Sequence, residues 1–348
     1  AVASALAPVT AIAQDQSRLL EEVIVTAQQR EQSLQDVSMS LTAFTGDALE
    51  SRVIENLADL QFSVPNLVSD SIRITIRGVG NNAISSTAEG GLGFHVNGVF
   101  VNNPAFRSTE YFDIERVEVL LGPQGTLYGR NTTAGVINII TNKPTDEFEG
   151  HFTAGVGNYA SQRLKGAINI PLTDSLRQRF AGSLLQRDGY DKNLYTGTSI
   201  DGRDSYELRS STAFDFTDNT SADLVISYLK ENSNRANETK GTCTKDALTG
   251  CSALSAGFET PDVSRSIFQT LNGLFFGGQL MPLGDYFADA VNPPDFRNSN
   301  VDQTPTYDVE QLGVSLELNH ETDNYRFVSL TGYYDTEADV FQDFDRFS

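Results

Sequence analysis

The sequence predicts a small α+β domain followed by antiparallel strands of a membrane-spanning β-barrel. Two patterns indicate this division. Up to Pro144, short apolar segments are separated by closely spaced glycines, whereas after Pro144 apolar and polar residues alternate with a period of two. No segment approaches the roughly 18 consecutive apolar residues of a transmembrane helix, so any crossing of a membrane has to rely on strands.

The chain is strongly acidic. It has 348 residues, with 46 Asp and Glu against 25 Lys and Arg, and a formal net charge of -21. Such a chain repels nucleic-acid phosphates, because it has no excess of Lys or Arg that would release counterions. We therefore expect no nucleic-acid partner.

Residues that often carry catalysis or bind metals are scattered along the chain. His95, His151 and His320 lie far apart on different predicted elements, which supports neither a metal triad nor a Ser/His/Asp relay. Cys243 and Cys251 fit an oxidising compartment and could close one small loop as a disulfide. No His or Cys nearby completes a zinc site, so we expect no enzyme, cofactor or bound metal.

The first thirteen residues, AVASALAPVTAIA, are small and apolar and end in Ala11-Ile12-Ala13. This A-x-A ending is typical of a secretory signal peptide, and the stretch is too short to span a bilayer. We interpret residues 1–13 as the remnant of a signal peptide, which favours export. The alternative is a disordered alanine-rich tail.

Residues 14–35 are predicted to be a flexible segment that carries one short strand. Residues 21–27 read EEVIVTA, in which Val23, Ile24 and Val25 are β-branched and favour an extended conformation. The flanks on both sides are polar and are not expected to pack around this strand. It therefore needs a sheet from another molecule, unless it is the first strand of the following domain.

Residues 36–145 are predicted to form the α+β domain. DVSMSLTAFTGDALES indicates a strand, a turn and a short helix, and VIENLADLQFSVPNL is predicted to continue that helix until Pro65 ends it. Short apolar strands follow, separated by turns that need φ > 0. The glycines of these turns are Gly78, Gly80, Gly122, Gly125, Gly129 and Gly135.

Residues 146–348 contain seven predicted strands with alternating faces. In YELRSSTAFDF, residues 206–216, one face is largely apolar and the other is polar. Several strands reach the roughly 9 to 11 residues that a tilted strand needs to cross a bilayer, whereas a soluble sandwich has shorter strands. The seven strands are predicted near 148–158, 161–170, 177–188, 204–216, 221–232, 306–319 and 324–336.

The connections between these strands alternate between short and long. PLTDSL, DFTDNTS and HETDN are short, whereas residues 189–203 and 233–304 are long. Outer-membrane barrels have short periplasmic turns and longer external loops. If the first strand starts from the periplasm, all three short turns are periplasmic and the Cys243/Cys251 loop is external.

Three motifs carry a family resemblance. They are VEVLLGPQGTLYGRNTTAGVINIITNKP at 117–144, RGVG at 77–80 and HVNGVFV at 95–101. With them the chain resembles the TonB-dependent outer-membrane receptors over essentially all its length. The resemblance implies that the α+β domain is a plug inside a barrel of about 22 strands. Seven strands leave two edges unpaired in lipid, so we expect this chain to be a fragment.

The resemblance also assigns a partner to the N-terminal strand. EEVIVTA stands where the family carries its TonB box, so the C-terminal domain of TonB, energised through ExbB and ExbD, is expected to supply the sheet. Such strand addition binds through main-chain hydrogen bonds. The TonB-binding residues are then Glu22, Val23, Ile24, Val25, Thr26 and Ala27.

Two further sets of residues receive roles from the resemblance. Ion pairs between plug and barrel wall are expected at Arg77, Glu115, Arg116, Glu118 and Arg130, unless these are solvated surface charges. Ligand contacts at the outward end of the plug are expected at Asn81, Asn82, Phe106, Arg107 and Tyr111, unless these belong to ordinary loops.

The function implied by the resemblance is active uptake across the outer membrane of a Gram-negative bacterium. The expected ligand is a ferric siderophore or similar iron complex, with haem, cobalamin and oligosaccharides as alternatives. The barrel contacts outer-membrane lipid, and the plug and TonB box face the periplasm. A passive porin and a secreted β-rich binding protein are the alternatives from other classes, and a porin needs neither the glycine-rich domain nor EEVIVTA.

Overall fold

The computed structural model of the chain describes residues 24–26, 32–33, 35, 37, 39–69, 74–81, 90–101, 109–235, 245–246, 250–251, 295 and 297–341. These residues form a mixed N-terminal domain and a seven-stranded antiparallel sheet. Within these ranges, no helix has both the length and the hydrophobicity that a membrane span requires.

The N-terminal domain is built from short strands and two short helices. Its elements are β1 (Ile24–Val25), β2 (Gln32–Ser33), β3 (Leu41–Thr45), α1 (Gly46–Ser51), β4 (Leu67–Ser69), β5 (Ile74–Ile76), β6 (Val79–Asn81), β7 (Leu92–Val96), β8 (Val99–Phe100), β9 (Ile114–Leu121), α2 (Gly125–Tyr128) and β10 (Gly135–Thr141).

A five-stranded sheet with the order β3-β9-β10-β7-β8 forms the centre of this domain. Strand β10 runs antiparallel to β9 and parallel to β7. All of its residues are buried, because apolar side chains cover both faces of the sheet. Apolar side chains of α1, β4 and β5 pack on one face of this sheet with Val117, Val119 and Ile137. β3 lies at the sheet edge and pairs with β9 alone.

The prediction that α1 continues to Pro65 is wrong. Thr45 caps α1 by accepting a hydrogen bond from the amide of Ala48 at 3.3 Å, and α1 ends at Ser51. The Asp59 carboxylate then accepts hydrogen bonds from the amides of Glu55 and Asn56. Because side-chain acceptors take amides that a helix would direct to carbonyls, the chain turns and forms a separate 3-10 turn at Asp59–Phe62.

The seven strands predicted after Pro144 are confirmed as one sheet, in which each strand is antiparallel to its neighbours. We call this sheet the wall. Its strands and those of the connecting segments are β11 (Glu149–Gly157), β12 (Ser161–Thr173), β13 (Leu176–Arg187), β14 (Asp191–Asn193), β15 (Ser199–Ile200), β16 (Arg203–Thr217), β17 (Thr220–Ser233), β18 (Lys245–Asp246), β19 (Gly250–Cys251), β20 (Asn298–Ser299), β21 (Thr306–Glu321) and β22 (Arg326–Phe341).

The faces of the wall alternate as predicted. On β16, the side chains of Arg209, Ser211 and Ala213 are buried towards the N-terminal domain, whereas Leu208 and Phe216 on the other face are exposed. Cross-strand partners share a face of a sheet, so the ladder fixes which residues of every strand point inwards.

The long connections of the wall carry local structure of their own. β14 and β15 form a three-stranded sheet with β20, where the buried Asn193 side chain donates to the carbonyl of Val301 at 2.8 Å. β18 and β19 form a hairpin in which Cys251 pairs with Lys245. The predicted disulfide partner Cys243 lies outside the described residues.

Candidate functional site

The N-terminal domain is held against the inner face of the wall through the carboxylate of Asp113. This residue immediately precedes β9, and its side chain is 1% exposed. Arg179 of β13 donates its Nε hydrogen bond to both carboxylate oxygens at 3.0 and 3.1 Å, and Arg209 of β16 lies 3.3 Å away. Arg209 also donates to the carbonyls of Phe112 and Asp113. One carboxylate thus connects the domain to two wall strands.

Asp113 remains ionised in this position. Burial alone would raise its pKa, but hydrogen bonding from Arg179 and the charge of Arg209 outweigh burial and lower the pKa below its ordinary value. The side-chain amide of Asn142 donates a further hydrogen bond at 2.9 Å. The carboxylate is therefore an anion at neutral pH and lies between two guanidinium groups.

A second ionic contact between the domain and the wall lies on the neighbouring strand β12. Glu110 is 3.3 Å from Lys165 and 3.1 Å from Arg163, both on β12. Arg163 also pairs with Glu55, and Lys165 donates to the carbonyl of Tyr111 at 2.9 Å. Here too, acidic groups of the domain meet basic groups of the wall.

The charges reverse on the neighbouring wall strands. Lys143, which follows β10, lies 2.8 Å from Asp223 of β17 and 4.0 Å from Glu317 of β21. Acids of the domain therefore face β12, β13 and β16, whereas a base of the domain faces β17 and β21. This sorting of charge makes only one rotation of the domain against the wall electrostatically favourable.

Three of the residues predicted to pair the plug with the wall, Glu115, Arg116 and Glu118, form ion pairs with one another instead. Arg116 of β9 pairs with Glu115 and Glu118 of the same strand instead of reaching the wall. Arg77 is exposed in the turn between β5 and β6 and forms no ion pair within the described ranges. The ion pair predicted for Arg130, which lies after α2, stays a prediction. The residues that do connect the two parts on the plug side are Glu55, Glu110, Asp113 and Lys143.

One pattern in the sequence indicates the basic side of these contacts. Arg163 and Lys165, like Arg177 and Arg179, are two residues apart on predicted strands, so each pair lies on one face. A row of cations on the inner face requires acidic partners. The sequence alone does not show which of the many acids of the N-terminal domain they are.

Arg116 and Glu118 hold the N-terminal segment. The buried Glu118 carboxylate accepts hydrogen bonds from the Thr26 amide at 2.7 Å and from the Thr26 hydroxyl at 3.2 Å. Arg116 donates to the Thr26 hydroxyl at 3.1 Å. Strand β1 is thereby fixed to the face of the central sheet.

Packing and strand pairing complete this attachment. Val25 is fully buried against Leu120 and Val136, while Ile24 is 42% exposed. β1 pairs antiparallel with β2, which belongs to its own polar flank. The expectation that this flank offers no partner strand is therefore wrong. Glu22, Val23 and Ala27 lie outside the part of the chain that the structure describes.

Glu118 belongs to a row of polar side chains across the central sheet. It is paired with Asn138, which is paired with His95. His95 is buried between the rings of Phe100 and Tyr128 at centroid distances of 5.5 and 5.0 Å. Burial lowers the pKa of His95 from 6.5 to about 4, so the imidazole is neutral at neutral pH.

The predicted ligand contact of Tyr111 is contradicted. Tyr111 is 8% exposed and belongs to the apolar core of the domain, and its amide donates to the Glu55 carbonyl at 2.6 Å. Burial raises the pKa of its phenol. Asn81 ends β6, while Asn82, Phe106 and Arg107 fall outside the described ranges.

Comparison with known proteins agrees with this architecture. Residues 33–136 match the family TonB-dependent Receptor Plug Domain. The vitamin B12 transporter BtuB of Vibrio vulnificus is 30% identical over 240 residues, which cover 66% of this chain and 38% of that protein. An iron-regulated outer membrane virulence protein of Vibrio cholerae is 32% identical over 220 residues, which cover 55% of this chain and 32% of that protein.

Solved structures share the fold. The ferric yersiniabactin uptake receptor FyuA from Yersinia pestis matches with a TM-score of 0.62 at 20% identity, over 87% of this chain and 41% of that chain. The ferric-catecholate import receptor Fiu from E. coli matches with a TM-score of 0.63 at 17% identity, over 89% of this chain and 40% of that chain. The chain thus spans between 32% and 41% of the length of these four proteins.

An α+β domain fixed by ion pairs to the inner face of long antiparallel strands defines a plugged barrel. Residues 33–136 match the TonB-dependent receptor plug family, and the chain as a whole has the fold of a plug domain with part of a receptor barrel.

We predict that Asp113→Asn destabilises the protein by about 3 to 5 kcal/mol, because it removes the ion-pair partner of the buried Arg209 and leaves the buried Arg179 with the half-exposed Glu149 as its remaining carboxylate. Thermal and urea unfolding of the purified chain in detergent measure this loss. Glu115→Gln is the matched control, since the Glu115 side chain is 43% exposed and should change stability by no more than about 0.5 kcal/mol. Equal effects of the two substitutions would contradict the role of Asp113.

A pH dependence follows from His95. The pKa of His95 is lower in the folded protein than in the unfolded chain. Its contribution to the free energy of unfolding is therefore complete above pH 6.5 and is lost as the pH falls towards about 4. The full loss amounts to about 3 kcal/mol. We expect His95→Gln to reduce the fall in unfolding midpoint between pH 7 and pH 5, whereas the exposed control His320→Gln keeps it. An unchanged pH profile in His95→Gln would disprove this assignment.

Proposed function

We propose that this chain is part of a receptor that transports a scarce ligand across the outer membrane of a Gram-negative bacterium, driven by TonB. The observation that carries the proposal is β1, a two-residue strand attached to the plug through Thr26 and Glu118. The plug family and the transporters among the relatives support it. The family consists of transporters and receptors, so no enzymatic reaction is proposed.

The ligand we propose is a ferric siderophore or similar iron complex. Solved structures with this fold include receptors named for ferric yersiniabactin and ferric catecholates. A cobalamin is the alternative, because a relative with 30% identity is named as a vitamin B12 transporter.

The proposed partner at the periplasmic side is the C-terminal domain of TonB, acting with ExbB and ExbD. A strand of the TonB domain would replace β2 as the partner of β1, because the ladder between β1 and β2 is only two residue pairs long. A partner strand that pairs with more residues replaces this ladder by a longer one and gains main-chain hydrogen bonds. The Thr26–Glu118 hydrogen bonds oppose this exchange.

The order of events under a pull follows from sheet topology. Once the hydrogen bonds from Thr26 to Glu118 of β9 break, a force on Thr26 passes along the chain to β3, the next strand of the central sheet. β3 is an edge strand with five residue pairs to β9, whereas β10 is paired on both edges. Asp113 meanwhile fixes the start of β9 to the wall. We infer that a pull removes β1 and β3 from the plug before the Asp113 contact breaks.

The first test is calorimetric binding of a purified TonB C-terminal domain to the full chain in detergent. Ile24→Pro removes a main-chain donor and should abolish binding. Ile24→Ala is the matched control, because it keeps the donor and should retain most of the affinity. Equal binding by wild type and Ile24→Pro, or no binding by either, would refute the assignment of β1 as the coupling strand.

A second test addresses the attachment of β1. Glu118→Ala removes both hydrogen bonds to Thr26, each involving a charged acceptor of the kind that contributes about 1.5 to 3 kcal/mol. We expect the affinity for the TonB domain to rise by about a hundredfold or more, because the two hydrogen bonds together oppose the exchange by at least about 3 kcal/mol. Glu115→Ala is the control, since it removes a neighbouring carboxylate that does not bind Thr26. An affinity that rises equally in both variants, or in neither, would show that Glu118 does not restrain β1.

A further inference from the structure

The inner face of three adjacent wall strands carries a continuous series of cations. Arg177, Arg179, Arg209, Lys165 and Arg163 occupy five successive inward-facing rows of the ladder formed by β12, β13 and β16. The next row pairs two further cations, Arg187 and Arg203. Successive rows are about 7 Å apart. We call this series the cationic staircase, and only Glu207 and Asp215 are acidic on the inner face of these strands.

The plug presents a matching line of carboxylates. From one end to the other, Asp146 pairs with Arg177 at 2.9 Å, Asp113 pairs with Arg179 and Arg209, and Glu110 pairs with Lys165 and Arg163. Each cation from Arg177 to Arg163 therefore binds at least one carboxylate from the plug or the linker that follows it. The carboxylates of the plug are thus spaced along the cations as the anionic groups of a bound polyanion would be.

The staircase also has more donors than the plug has acceptors. A guanidinium carries five N–H donors, and one carboxylate at Asp113 serves two such groups. The buried Nε atoms of Arg163, Arg177 and Arg209 have no hydrogen-bond acceptor among the described residues. Arg209 has a side chain that is 8% exposed, so its unused donor is shielded from solvent.

A cavity lies beside this unused donor. It has a volume of about 60 Å³, which is large enough for water between the plug and the wall. Polar groups from both parts line it: Glu110, Tyr111, Glu207, Arg209, Ser227 and Gln311. The interface next to Arg209 is thus incompletely filled, and the cavity combines these polar groups with apolar side chains such as Phe112 and Leu229.

We propose that the cationic staircase binds a multiply anionic solute whose oxyanion groups replace the plug carboxylates as the plug is remodelled. The inference rests on the proposed function, which supplies the remodelling. Guanidinium groups bind carboxylate and phosphate oxygens in pairs, so the preferred solute has several such oxyanions. Rows about 7 Å apart allow it to move from one cation to the next without losing all contacts.

The test uses the full chain in detergent micelles and inorganic pyrophosphate as the probe. Asp113→Asn removes the plug carboxylate that occupies Arg179 and Arg209, and we expect pyrophosphate to bind this variant at least tenfold more tightly than wild type. Adding Arg209→Gln should remove the gain. Glu317→Gln is the matched control, because it makes the same change in charge at the interface on a strand without arginine. Calorimetry at constant ionic strength measures the affinities.

Three outcomes would overturn the proposal: no gain in Asp113→Asn, an equal gain in Glu317→Gln, or a gain that persists with Arg209→Gln. If Asp113→Asn does not fold without ligand, recovery of protease-resistant protein is the readout. Pyrophosphate but not sucrose is then expected to restore folding, and failure of pyrophosphate to do so refutes the proposal. TonB is absent from this experiment, so its result is independent of TonB binding.

Discussion

The position of the plug depends on one buried carboxylate shared by two arginines. Asp113 binds Arg179 and Arg209 on different wall strands, and all three side chains are less than a tenth exposed. Buried ion pairs contribute little net stability because desolvation offsets their attraction. Their main effect is specificity, since any other docking of the plug leaves these charges unpaired. The opposite polarity at Lys143 and Asp223 reinforces the same orientation.

Strand β9 connects this anchor to the N-terminal segment. Its start follows Asp113, which contacts the wall, and Glu118 in its middle binds Thr26. The row from Glu118 through Asn138 to His95 extends the polar contact across the central sheet. A displacement at Thr26 therefore acts on the strand whose beginning is fixed to the wall. The plug is held at one end of β9, while the segment that receives the proposed pull is attached nearer its centre.

The sequence predicts some features of this structure well and others not at all. The seven wall strands and their faces follow from local alternation, because the pleat alone determines which side chains share a face. The end of α1 was missed because Asp59 takes amide hydrogens that a helix would use, and periodicity does not include such competition. The partners of Arg163 and Arg179 depend on how two parts of the chain dock. Local patterns carry no information on docking, so Glu118 was assigned to the wall although it binds Thr26.

Net charge is a poor guide to what the interior of this protein binds. The chain as a whole carries a formal charge of -21, which on its own would favour cationic solutes. Interactions between exposed charges fade over a Debye length of about 8 Å at physiological ionic strength, so a solute between plug and wall responds mainly to the side chains that line that space. On β12, β13 and β16 those side chains are predominantly basic, and low dielectric strengthens their effect. The net charge of the whole chain and the charge of its inner strip therefore have opposite signs, and the anionic solute proposed above would meet the inner strip.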